Sequence, residues 1–204
     1  MKYIGPKLKL CRREWVNLFW PAKYDVKQKR KLPGQHGANM PRLSEFGKLL
    51  RNKQVLKRMY FLSEKQFSRI VNKISSSYAK NKGWDHDKAL VQFLERRLDS
   101  VIVRSGLAKT IMQARQMVVH WHFTLNGKKH NIPSYFVNPN DVLAVREKVK
   151  KSSLYQDGQS VQNTPNRLKI DKSNLEVTVL DLPNVEEYKA PVDVLKVIEF
   201  YARA

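Results

Sequence analysis

The groups in this sequence with the chemistry to act as acids, bases, nucleophiles or metal ligands are few: five histidines, one cysteine and 18 carboxylates among 39 Lys and Arg. The stretch KRKLPGQHG sets His36 between Gly34 and Gly37, behind Lys27, Lys29, Arg30 and Lys31. A catalytic imidazole needs a carboxylate to orient it, and a metal-bound one needs further ligands. Neither stands at a recognisable spacing from His36. Gly34 and Gly37 permit positive φ and close backbone approach, while Gln35 and His36 offer hydrogen bonds without bulk. The stretch therefore reads as a turn laid against something negatively charged. His120 and His122, in HWH, share one face of a predicted strand, but without a third ligand they read as hydrogen-bonding residues and not as a metal pair. Cys11, alone, excludes an intramolecular disulfide and a multi-cysteine zinc site, and reads as a free thiol in a reducing compartment. No catalytic residue, metal or cofactor is expected.

A formal net charge of +21 and a pI near 10.1 demand relief by a polyanion or an acidic surface, and nucleic acid is the first partner to consider. The excess is graded: net +17 over residues 1–82, +6 over 83–151 and −2 over 152–204. Only the last quarter is suited to face something other than phosphate. With 42% hydrophobic residues in 204, the chain is long enough for one or two cored domains. No apolar run approaches the ~20 residues of a membrane span, and the N-terminus lacks a signal-peptide core. A soluble intracellular protein is expected; the basic, acid-poor N-terminus keeps an organellar address open.

The elements that must position these residues are clearly punctuated. Residues 1–41 alternate cations with isolated apolar residues and Pro/Gly breakers, which predicts an arm ordered mainly by what it binds, with a short helix near Arg12 to Leu18. Ser44 caps a predicted helix through about Tyr60, with Phe46, Leu49, Leu50, Leu56 and Met59 on its apolar side. Ser63 and Gln66 spell a capping box, with Leu62 and Phe67 as a staple, for a helix carrying Ile70, Val71, Ile74 and Tyr78. Leu90, Leu94, Leu98, Val101 and Ile102 predict one further helix, ended by Ser105-Gly106. Thr110 and Gln113 predict a second capping box, for a helix that buries Ile111, Ala114 and Val118 and leaves Lys109, Arg115 and Gln116 outside. Asn126-Gly127 between β-type runs predicts a type I′ hairpin. YFV, VLAVR after the turn NPND, and LEVTVLDL add strands. KKSSLYQDGQSVQNTPNR reads as a long exposed connection, and VLKVIEFYARA, strand or helix, docks on the helical part. The expected fold class is α+β, with an antiparallel sheet packed on short helices beside a helical domain and a basic arm.

The run LERRLDSVIVRSGLAKTIMQARQMVVHWHFTLNGKKHNIPSYFVNPNDVLAV resembles the small RNA-binding module named after small-subunit ribosomal protein four. GPKLKLCRRE, PGQHG, PRLSEFGKLLRNKQ and VIEFYAR extend the likeness, so nearly the whole chain is similar to the bacterial and organellar members of that ribosomal protein family. The resemblance implies an extended arm (1–41), an α-helical domain (42–86, rejoined by 183–204) and an α+β module (87–182). It implies a structural protein without enzymatic activity, which binds the 5′ domain of small-subunit ribosomal RNA early in assembly. It also implies a place beside the messenger entry channel, neighbours in small-subunit ribosomal proteins three and five, and an influence on decoding accuracy. A bacterial cytoplasmic ribosome is expected, with an organellar one as the alternative; no membrane and no small-molecule substrate are expected.

RNA contact is expected in the arm from Lys7, Lys9, Arg12, Arg13, Gln35 and His36, and in the helical domain from Lys53, Lys57, Arg58 and Arg69. In the module it is expected from Lys109, Thr110, Arg115, Gln116, His120, His122, Asn126, Lys128 and Lys129. The resemblance places Arg42, Lys48 and Arg51 near the incoming messenger. Glu186, Glu187, Asp193 and Glu199, in the acid-leaning tail, are the expected protein contacts.

The chain departs from the family in places. Some members bind zinc through four cysteines in the arm, a site that Cys11 alone cannot form. The usual GRLDN reads RRLDS here, and Trp121 stands where a smaller residue is usual. Pseudouridine synthases carry the same module with a catalytic RLD, which Arg97-Leu98-Asp99 spells. Yet Asp99 falls within a leucine-spaced helix, no stretch remains for a catalytic domain, and Asp99 reads as a helix-surface residue paired with Arg96 or a nearby arginine. A stand-alone factor for stalled subunits would use the module without the arm; the arm argues against it.

Overall fold

The computed structural model of the protein describes residues 3–19, 24–26, 31–39, 42–80, 85–156, 164–184 and 192–203, leaving aside the side chains of 77–80 and 156. Lys27, Lys29, Arg30, Glu186, Glu187 and the Tyr78 side chain lie outside the described residues. In chain order the described elements are α1 (Lys7–Glu14), α2 (Glu45–Met59), α3 (Glu64–Lys80), α4 (His86–Glu95), α5 (Leu98–Arg104), α6 (Ile111–Val119), β1 (Phe123–Leu125), β2 (Lys128–His130), β3 (Val142–Val145), α7 (Glu147–Lys150), α8 (Ser153–Gln156), β4 (Leu168–Asp171), β5 (Glu176–Val179) and α9 (Val194–Arg203). These helices and one antiparallel sheet make the fold α+β, as expected. The chain divides into two compact units, Met1–Leu90 with Lys189–Ala204, and Val91–Tyr188.

In the first unit, α1 begins directly after Pro6 and ends at Trp15, whose φ of 58° closes the helix through an N–H bond to the Cys11 carbonyl. It lies earlier than the helix expected near Arg12 to Leu18. Cys11, Leu18 and Phe19 are buried, so this basic stretch carries more local order than its composition predicts. Its first carboxylate, Glu14, anchors it by accepting from Arg51 and Arg58 of α2. Ser44 caps α2 by accepting from the Gly47 N–H at 3.2 Å. The expected box before α3 is reciprocal: the Gln66 N–H donates to Ser63 Oγ and the Ser63 N–H to Gln66 Oε1, each at 3.3 Å. Phe67, Val71 and Ile74 follow on its buried face. The tail forms a helix, α9, which buries Val197 and Phe200 and packs on α2 and α3.

In the second unit the single helix expected through Leu90 to Ile102 is two. Arg97 is extended (ψ 139°), and the backbone here pairs with a distant segment: the Leu98 N–H reaches the Tyr135 carbonyl, the Asp99 N–H that of Pro133, and the Val137 N–H that of Arg96. Those partners satisfy groups that would otherwise continue the helix. Five strands order as β2-β1-β3-β5-β4. Asn126 and Gly127 take φ 49° and 77°, as a type I′ turn requires, and set Phe123 opposite His130. β4 falls in a stretch that the sequence left unassigned; it pairs Leu168 with Val179. The core joins Leu98, Val101, Ile102, Ala114, Val118, Phe123, Leu143 and Val177, each large side chain contributing about 1.5–3 kcal/mol. Helix α6 ends in a Schellman motif, with the His122 N–H on the Met117 carbonyl and the Trp121 N–H on that of Val118. Its left-handed position belongs to Trp121 (φ 61°), where a side chain costs about 1–2 kcal/mol and glycine is usual.

Candidate RNA interface

The PGQHG turn is held from within. Arg12 donates from Nε to the Lys31 carbonyl at 2.9 Å and from a terminal nitrogen to that of Leu32 at 3.0 Å. Leu32 and Gly37 close the turn through a 3.0 Å backbone bond. Gly34 adopts φ 113°, whereas Gly37 is needed for close approach: a Cβ there would lie 2.0 Å from the Leu32 carbonyl oxygen. Of the two properties expected of these glycines, Gly34 uses the positive φ and Gly37 the close approach. Gln35 and His36 stand exposed at the rim of a groove of about 830 Å³, which Trp15, Pro33, Leu43 and Val55 also line.

Carboxylates sort the expected cations into two groups. Lys53 is buried, with its ammonium on Glu64 at 2.9 Å and 4.3 Å from the centre of the Phe200 ring. In this structure the Lys53 charge is therefore held inside the unit rather than presented to solvent. Lys57 joins it on Glu64 at 2.7 Å, as does the Tyr201 hydroxyl at 2.7 Å. Burial alone would raise the Glu64 carboxyl, but the bonds from Lys57, Lys53 and Tyr201 hold it down at about 2. Arg51 and Arg58 are committed to Glu14, and Lys48 pairs with Glu45 one turn away. Lys9, Arg13, Arg42 and Arg69 are exposed, and Lys7 is half-buried.

In the second unit Thr110 caps α6 by accepting from the Gln113 N–H at 3.2 Å, while Gln113 Oε1 accepts from the Lys109 N–H at 2.8 Å. The box therefore closes one residue earlier than the capping-box pattern, and Lys109 keeps its ammonium exposed. Arg115 does not simply face outward: with Arg97 it grips Asp99, which is fully buried. Asp99 is thus no helix-surface residue, because two guanidiniums and the Ser100 N–H replace its water. A second buried carboxylate, Glu95, takes Arg104 and Arg167. Asn126 spends its amide on Asp141 and on the Val142 N–H, tying the hairpin to the turn before β3. Lys128 and Lys129 are exposed on β2, and Gln116 and His120 on the end of α6.

HWH does not form one strand face. His120 belongs to the end of α6, Trp121 to the left-handed turn, and half-buried His122 meets the Tyr155 hydroxyl at 3.1 Å. Burial holds the His122 imidazole below its usual value, and the like charges of His120 and Arg146 add to this. No group of three potential metal ligands occurs among the described residues, and no described helix is long and apolar enough to cross a membrane. Sequence reasoning missed the organising carboxylates Glu14, Glu64 and Glu95 and placed Asp99 on the helix surface; it noted Trp121 only for its bulk and passed over Arg146. The scarcity of acids in so basic a chain was the available signal.

Among the described residues the arrangement is one of exposed cations on a frame braced by carboxylates. Comparison with known proteins agrees with it. Residues 2–95 match the ribosomal protein S4/S9 N-terminal domain and residues 96–143 the S4 domain. Proteins called small ribosomal subunit protein uS4 are similar along the chain: that of Petrotoga mobilis is 39% identical and that of Thermotoga maritima 41%, each over 99% of both chains. That of Persephonella marina is 41% identical over 98% of both. With both family domains in order and such identity throughout, the chain belongs to the small ribosomal subunit protein uS4 family.

Proposed function

We propose that the chain is a structural constituent of the small ribosomal subunit that binds small-subunit ribosomal RNA, and that it is not an enzyme. The observation that carries this reading is kinship over 98–99% of its length with proteins named for that subunit. Its mechanism is charge neutralisation plus shape recognition. Lys9, Arg13, Arg69, Lys109, Lys128 and Lys129 meet phosphates, each contact adding about 0.7–0.9 to the salt slope. Arg12, Lys53, Lys57, Arg58, Arg115 and Asn126 act chiefly by holding the surfaces in shape.

The RNA is the 5′ domain, bound early by an arm, a helical domain and the module, so that a multi-helix junction is fixed for later proteins. Arg42, Lys48 and Arg51 lie by the messenger entry channel. Asp193 and Glu199, with Glu186 and Glu187, meet small-subunit proteins three and five, and through them decoding accuracy. Bacterial relatives support a bacterial, cytoplasmic ribosome over an organellar one. The test is binding to the 5′ domain against an unrelated folded RNA of equal length across a salt series. A preference of about a hundredfold or more is expected if base pattern and shape add to charge. Equal, steeply salt-sensitive binding to both RNAs overturns the reading.

A further inference from the structure

Trp121 is a costly residue for its place on the second unit's surface. It occupies the left-handed position of a Schellman motif at φ 61°, which glycine fills without strain, yet 43% of this large apolar side chain is exposed. Its neighbours are cationic. Arg146 donates to the Trp121 carbonyl at 2.8 Å through its guanidinium, and its own N–H donates to the His122 carbonyl at 2.9 Å. His120, adjacent, is exposed, and the nearest acid along the chain from Arg146, Glu147, is taken up by Lys150. The exposed indole thus stands on a turn whose backbone carbonyl holds a guanidinium and whose preceding residue is an exposed imidazole. That combination matches a nucleotide, whose base is a π-surface and whose flanking phosphates are anionic.

We propose that the Trp121 indole is a stacking platform for one unpaired RNA base, with Arg146 and His120 placed to meet the phosphates on either side. The proposal rests on the RNA-binding reading above and adds a contact to it that is independent of net charge. Stacking is sequence-tolerant, since every base has a π-face, so the site selects an unpaired nucleotide more than a particular letter. Helical RNA, whose bases are already stacked, is not its substrate.

The test uses the full chain with Trp121→Gly, which removes the ring and relieves the left-handed strain, and Trp121→Phe, which keeps a stacking face. Each is titrated with 5′-domain ribosomal RNA and with single-stranded oligoadenylate. Expected is an affinity loss of about tenfold for Trp121→Gly on both RNAs with the salt slope unchanged, and recovery by Trp121→Phe to within about threefold of the parent. The thermal midpoint of Trp121→Gly should equal or exceed the parent's, which separates lost stacking from lost folding. Parental affinity in Trp121→Gly, or a Phe variant as weak as the Gly variant, overturns the proposal. So does unchanged RNA affinity coupled to poor incorporation into subunits reconstituted with the other proteins, an outcome that assigns the patch to a protein. If the parent shows no preference for ribosomal RNA, the reading of function fails instead, and the oligoadenylate titration alone decides the role of Trp121.

Discussion

Glu14 and Glu64 in the first unit, and Glu95 and Asp99 in the second, each receive two cationic side chains, but they sit differently toward water. In the first unit Glu64 is 46% exposed where Lys53 is buried, and Arg51 is 34% exposed where Glu14 is buried. In the second unit each carboxylate has one partner as dry as itself, Arg97 for Asp99 and Arg167 for Glu95, besides a second, partly exposed one in Arg115 or Arg104. A half-wet pair can lose a partner and rehydrate, whereas a dry pair that loses one leaves an uncompensated charge in the interior. The first arrangement leaves one charge of each such pair within reach of water; the second fixes the frame on which α6 and the hairpin are displayed.

The contrast is broken most severely at Asp99. Asp99→Asn should destabilise the protein by about 3–5 kcal/mol in denaturant unfolding, because buried Arg97 keeps its charge without its counterion. A loss under about 1 kcal/mol would mean that the dry pair behaves like a wet one. Glu14→Gln should cost less, about 1–2 kcal/mol in the same measurement, since Arg51 and Arg58 turn to solvent; its RNA affinity should hold or rise. Glu64 gives a smaller effect with a defined pH range. Its folded value, about 2, lies below its ordinary 4.5, so its stabilisation is present above about pH 4.5 and drains as pH falls toward 2. With half the carboxylate in water, that loss should be about 1 kcal/mol or less, and it should vanish from the pH profile of Glu64→Gln. Lys128→Ala should leave stability within about 0.5 kcal/mol but lower the salt slope of RNA binding by about 0.7–0.9. Lys53→Ala should do the reverse, and a matching change in slope would dissolve the division between structural and ligand cations.

Local signals in the sequence were read well and distant ones poorly. The box at Ser63 and Gln66, and the hairpin at Asn126-Gly127, are decided within four residues by backbone donors and allowed φ, so residue types alone suffice. The break between α4 and α5 is decided by carbonyls of Pro133 and Tyr135, more than thirty residues away, and a leucine period that runs through it conceals it. Likewise β4 alternates cleanly from Leu168 to Asp171, but four residues are too short a run to be distinguished from a loop until β5 pairs with it. For the interface the sequence yielded the class of residue and not its state: Lys53 and Lys128 are alike until Glu64 and Phe200 are placed around one of them.

Cys11 carries a consequence for measuring how the first unit opens. Its thiol is fully buried within α1, and desolvation pushes its pKa above the ordinary value, so both access and thiolate are withheld in the folded protein. As the chain's only sulfhydryl, it reacts with an alkylating reagent when α1 lifts away. The labelling rate is therefore a native clock for local opening of the N-terminal segment, read by mass without any engineered probe. A slower clock on added ribosomal RNA would give the share of the order around Cys11 that belongs to the nucleic acid.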